Sequence, residues 1–291
     1  MQIKRLLLLT IVCLLFNHLK AQTGIVFKIK YLPEHSYKST TVINMNMEMD
    51  FSGDEKKLEE LKAGGIVSHT IMTNSTSAGI NIQTGKVEKE DVFPLVMRYT
   101  ETVSKNSVNG EETGSTTNPL HGRTVYGKCT TSGQIQIDSL SGKTVDENVK
   151  TTLLATMSKM INAVHFPEKP LSIGETFTQD VPLNLPLGGK DIQVVVKIIY
   201  KLIAVDNNIA YFDLKQSVVF DLSTQENNVG MTGKGNGNGD GKLVYSIDQK
   251  FPTTIKSNLS FDYELMFENI TLKGKTNASS IYQVEITSLA N

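Results

Sequence analysis

Cysteine is scarce in this chain of 291 residues: there are two, Cys13 and Cys129. Cys13 lies inside an N-terminal segment expected to be removed, which leaves Cys129 alone. A lone cysteine excludes an internal disulfide, so stability has to come from a packed core. A free thiol of this kind reads first as a small buried hydrophobe. Long apolar runs are equally scarce. No segment beyond the N-terminus offers the 18 or so consecutive apolar residues of a membrane-spanning helix. No surplus of positive charge exists either. With residues 1–21 removed, Lys4, Arg5 and Lys20 go and no acid does, which leaves 26 bases against 30 acids and a net charge of −4. That balance argues against a nucleic-acid partner, which needs a basic patch.

The N-terminus carries a basic start, Lys4–Arg5, a short apolar run, Leu6 to Phe16, and a small residue, Ala21, before a polar one. These are the parts of a secretory signal peptide, with cleavage expected after Ala21. No cysteine follows the cleavage point to take a lipid anchor. The expectation is an exported protein, periplasmic or extracellular, at the cell surface or free.

Period-two alternation dominates what remains. "GIVFKIKYL" (24–32), "TTVINMNMEMDF" (40–51), "GQIQIDSL" (133–140), "KDIQVVVKIIYKLIAVD" (190–206) and "TTIKSNLSFDYELMF" (253–267) set β-branched and aromatic residues against polar ones. They read as half-buried antiparallel strands. "VDNNIA" (205–210) is a turn whose two asparagines tolerate positive φ. Two segments have helical spacing. A short helix is predicted over about 54–63, with Ser52 as a candidate N-cap and Gly64 as the C-cap. A long one is predicted over about 145–165. There Thr144 and Glu147 have capping-box spacing, an apolar stripe runs from Val149 to Val164, and Pro167 stops the helix. "NSVNGEETGSTTNPLHG" (106–122) reads as an exposed loop or hairpin tip.

The expected fold is therefore α+β but mostly β. It is a strongly curved, half-barrel-like antiparallel sheet with the long and the short helix packed on it. Residues 22–291 are expected to form one strand-rich domain, compatible with a weak duplication of halves 22–143 and 170–291 joined by helix 144–166.

"MTGKGNGNGDGKLVYSID" (231–248) places glycine at every second position from 233 to 241. A calcium-binding β-roll would need several stacked copies. A phosphate-cradling loop would need a following helix and a Gly-Lys-Ser/Thr ending. The third reading is a strand with one bare face, which lets another element approach or the sheet bend sharply. The order of a signal peptide, a strand-rich half, a helix, "FPEKPLSIGETF", long paired strands and this glycine strand resembles a group of exported Bacteroidota proteins of the DUF6263-like kind. The resemblance covers most of residues 24–286 and carries no catalytic residue. It implies an architecture similar to lipoprotein-carrier folds.

Motifs for chemistry are missing. His35, His69, His121 and His165 stand apart, with no i,i+4 pair for zinc, and no nucleophile elbow occurs. No catalytic residue, cofactor or metal is expected. "DSL" (138–140) matches a short O-glycosylation sequon at Ser139. In "INMNMEMDF" (43–51), Met45, Met47, Met49 and Phe51 share one side of a strand with Ile43. Copper-binding thioethers would recruit His or Cys nearby, so these residues are expected in a core or in the wall of an apolar cavity. Three functions compete. The first is a non-enzymatic exported protein holding a lipid or other apolar ligand. The second is an envelope structural or protein-interaction module with a protein partner. The third is a hydrolase with an unrecognised site.

Overall fold

The computed structural model describes residues 24–65, 67–117, 121–141, 151, 164–187, 190–226, 229–267 and 269–289. The predicted signal peptide lies outside them, as does the predicted long helix except for Thr151 and the residues at its end.

Strands β1 (His35–Gly53), β2 (His69–Thr84), β3 (Val92–Val108), β4 (Glu111–Thr117), β5 (Thr124–Thr130) and β6 (Ile135–Leu140) come first in the chain. Then follow β7 (Thr176–Leu187), β8 (Lys190–Asp206), β9 (Ile209–Glu226), β10 (Val229–Ser246), β11 (Phe251–Phe267) and β12 (Ile270–Ser288). All join one antiparallel sheet in the order β6-β5-β3-β2-β1-β12-β11-β10-β9-β8-β7, with β4 also on β3. Two meanders thus meet where the first strand pairs with the last, in register from His35 opposite Ser288 to Gly53 opposite Ile270. At 19 residues β1 and β12 span about 60 Å.

The expected fold class needs correction. The chain is mostly β; the sheet is curved but not closed, and no long helix packs on it among the described residues. Val164–Phe166, where the predicted long helix should end, is not helical. Thr151 is helical, and the other residues of the predicted stripe before Val164 lie outside the described residues. The short helix does form, as α1 (Glu55–Ala63). Its N-cap is Asp54, not Ser52: the Asp54 carboxylate accepts the Lys57 N–H at 3.0 Å. None of its residues is buried, so it covers little of the sheet.

Residues 24–32 alternate like a strand but form only one bridge, Ile25 to Leu171. The segment instead crosses one end of the sheet and plugs two clusters. Phe27 packs on Phe166, Phe212 and Tyr245, each with ring centroids 5.2 Å away. Tyr31 meets Tyr37 edge-on at 4.8 Å and lies against Phe251. Burying a ring of this size contributes about 2–3 kcal/mol.

The glycine strand is β10, and its glycines lie on the less exposed face while Lys234, Asn236, Asn238 and Asp240 face solvent. A methyl at Gly235 would meet the Phe220 ring, and one at Gly237 would meet Phe261. Glycine is required here because rings and carbonyls of the flanking strands close over the bare backbone.

The sheet's open edges are guarded. β7, with a neighbour on one side only, carries Pro182 and Pro186, which supply no N–H. In β6 the register slips and leaves Asp138 unpaired; in β4 it slips at Thr113. Bulges of this kind twist an edge away from incoming strands.

Candidate functional site

Alternation gives the sheet two unlike faces, and the sequence-predicted residues sit on the apolar one. Met47 and Met49 are buried at 4% exposure each, while Met45 and Phe51 are half-buried. Met49 belongs to a cluster with Leu272, Leu265, Tyr263, Phe261 and Val218 at the end of the sheet nearer α1. Phe51, Met72, Phe220, Met231 and Phe267 are partly buried against it. Phe51 also lines a hollow of about 380 Å³ beside Leu58 and Leu61 of α1. The four predicted residues are therefore not one uniform wall. Met47 and Met49 are core, and Met45 and Phe51 sit where the apolar face is still open.

Ser139 is exposed on the edge strand β6. Cys129 is fully buried among Phe93, Leu95 and Val125, and burial pushes its thiol up to about 11. Its environment is that of a small hydrophobe, and a thiol held protonated is a poor nucleophile.

The solvated face holds an arrangement that sequence reasoning missed. Strand register aligns His69, Asp50, Lys273, Glu264, Lys234 and Asp221 into a single row across six strands, alternating in sign. Opposite charges facing one another across strands stabilise the register. The His69 ring lies 2.8 Å from the Asp50 carboxylate, a hydrogen bond that raises its pKa above the ordinary histidine value. Beside this row lies a hollow of about 710 Å³, reached by Glu48, Asp262 and Lys275. A second hollow, of about 550 Å³, runs across the middle of the same strands; amides and hydroxyls dominate its lining, with Met45, Leu259 and Ala278 beside them and one charge, Asp240. No periodicity in the sequence could reveal these rows, because each is assembled from residues on different strands. Among the described residues no group of three His, Cys, Asp or Glu side chains is placed to hold a metal. No described helix is long and apolar enough to cross a membrane, which says nothing of a β-barrel.

No protein-family model and no curated protein matches the chain. Among solved structures, it is similar to part of a lipovitellin chain from a study of lipid–protein interactions, at 10% identity and a TM-score of 0.43. That likeness covers 90% of this chain and 26% of the other, so this chain spans about a quarter of lipovitellin's length. It is also similar to OccK7 (OpdD) of Pseudomonas aeruginosa, at 3% identity and a TM-score of 0.23, over 87% of this chain and 99% of that one. At such scores the two likenesses assign neither a fold family nor a function, and the reading of this chain rests on its own residues.

Proposed function

We propose that this is an exported, non-enzymatic protein that holds a hydrophobic or amphipathic ligand on the apolar face of its curved sheet. One observation carries the reading. At the end of the sheet nearer α1 the apolar face is continuous across several strands, yet its large side chains Phe51, Met72, Phe220, Met231 and Phe267 are only partly buried. Methionine adapts its shape to irregular apolar partners, which suits a ligand surface. The signal-like N-terminus supports export, and so does the resemblance to exported Bacteroidota proteins. The alternative of contact through sheet edges is disfavoured by the prolines and bulges that guard them. The 106–122 segment, expected as an exposed loop or hairpin tip, is strand over 106–108 and 111–117, with a tight turn at Asn109–Gly110.

The test is native mass spectrometry of protein purified from lipid-rich cells, with displacement of a fluorescent fatty acid as a second readout. The expected result is a co-purifying lipid and displacement that weakens in Phe51→Ser and Met72→Ser. Both sites are partly exposed, so the fold should survive. A protein that carries no lipid and leaves the probe unbound overturns the reading.

A further inference from the structure

The middle of the solvated face is unlike the rest of it. Two adjacent cross-strand rows there are uncharged over their central strands. One runs Thr73, Asn46, Asn277, Ser260, Asn238 and Ser217 across β2, β1, β12, β11, β10 and β9, and meets Lys197 on β8. The next runs Ser75, Asn44, Ser279 and Asn258, between Lys105 of β3 at one end and Asp240 and Lys215 at the other. On one side the band is bounded by Glu48, Lys275 and Asp262, which alternate in sign, and beyond them by the charged row described above. On the other lies a row with Lys256, Lys242 and Asp213.

Asparagine is depleted in strands because its side chain competes for the backbone. Here Asn44, Asn46, Asn238, Asn258 and Asn277 sit in mid-strand and converge on one patch, against that preference. They are not used to hold one another. Among the described residues the hydrogen bonds within the band are Ser75 to Asn44 at 2.8 Å and Thr73 with Ser107 at 2.6 Å. The amides of Asn46, Asn238, Asn258 and Asn277 have no side-chain partner among the described residues and face solvent. Between the two rows runs the 550 Å³ hollow, perpendicular to the strands.

The chemistry of the band selects its ligand by elimination. A protein partner would meet aromatic residues, methionine or arginine at the centre of its interface, and these rows hold none. A nucleic acid or an anionic membrane surface would need clustered cations. A primary amide both donates and accepts, and so does a sugar hydroxyl. We propose that this band is a binding surface for a neutral polysaccharide lying across the strands. With a strand spacing of about 4.8 Å the groove accommodates roughly four or five sugar rings. No aromatic ring stands in the rows to stack on a sugar, so binding rests on hydrogen bonds repeated along a polymer.

The test is affinity electrophoresis of the full chain through gels containing hydroxyethylcellulose, laminarin, glucomannan or dextran. At least one should retard the wild type, and retardation should persist at raised salt. Asn46→Val with Asn277→Val removes two amides while raising strand propensity, so the fold is kept, as far-UV circular dichroism will show. It should weaken retardation by about tenfold or more. Lys273→Ala, in the neighbouring charged row, should leave it unchanged. Absence of retardation by all four polymers overturns the proposal, as does retardation that salt abolishes or that the double variant retains. Fatty-acid displacement in the asparagine variant should match wild type, so this proposal and the ligand site on the opposite face fail independently.

Discussion

Replacing Gly237 by alanine places a methyl group on the crowded side of β10. It would meet Cα and Cβ of Phe261 and the carbonyl oxygen of Ser260, all inside 3.0 Å. None of these is the far end of a flexible side chain, so β10 and β11 must move apart locally. Overpacking of this kind costs about 1–3 kcal/mol. Against it stands the smaller conformational entropy of an unfolded chain with alanine, about 0.4–1 kcal/mol. The net expectation is a loss of about 1–2 kcal/mol, or roughly 2–8 °C in melting temperature for a chain of this size. Urea denaturation followed by circular dichroism reads it directly. Gly64→Ala is the matched control. It sits at the α1 C-terminus with φ −83°, and its new methyl would come no nearer than 3.3 Å to the Leu61 carbonyl. That variant should stay within about 0.5 kcal/mol of wild type. If Gly237→Ala is as stable as wild type, the closure of flanking strands over bare glycine is not what the alternation encodes.

Cys129 should resist Ellman's reagent in the native protein at pH 8, where a thiol titrating near 11 is roughly one part in a thousand thiolate, and react promptly in urea. The Tyr99 hydroxyl is buried without a hydrogen-bond partner among the described residues. Tyr99→Phe should therefore keep or raise stability, by up to about 1 kcal/mol in denaturant titration. His69 should titrate above an ordinary histidine by NMR, and Asp50→Asn should bring it down. Because folding raises this pKa, the pair's contribution is full below pH 6.5 and fades as pH rises through the folded value. A denaturation midpoint at low salt that moves the opposite way between pH 5 and 8 in wild type relative to Asp50→Asn contradicts the pairing.

Strand content was legible because alternation reports which side chains share a face. Met45, Met47 and Met49 could be placed on one side of β1 from the sequence alone. The turn at Asn207–Asn208 was legible too, and both residues have positive φ. Alternation does not report whether a neighbour exists. Residues 24–32 have the pattern and pair at one point only, since Phe27 and Tyr31 are spent on plugging clusters. Register was the largest gap. Asn46 and Asn277 lie 231 positions apart in the chain and face each other across β1 and β12. No local signal brings them together.

That pairing of β1 with β12 also governs when the fold can be completed. The first strand formed in the chain can settle against β2 early, but its other edge has to wait for the last strand. Closing so long a loop costs entropy before any contact repays it, and sheets ruled by distant pairings fold slowly. Until β12 arrives, the nineteen-residue edge of β1 stays open and the two meanders lack the seam that joins them. A chain built this way cannot complete its sheet until β12 has been made.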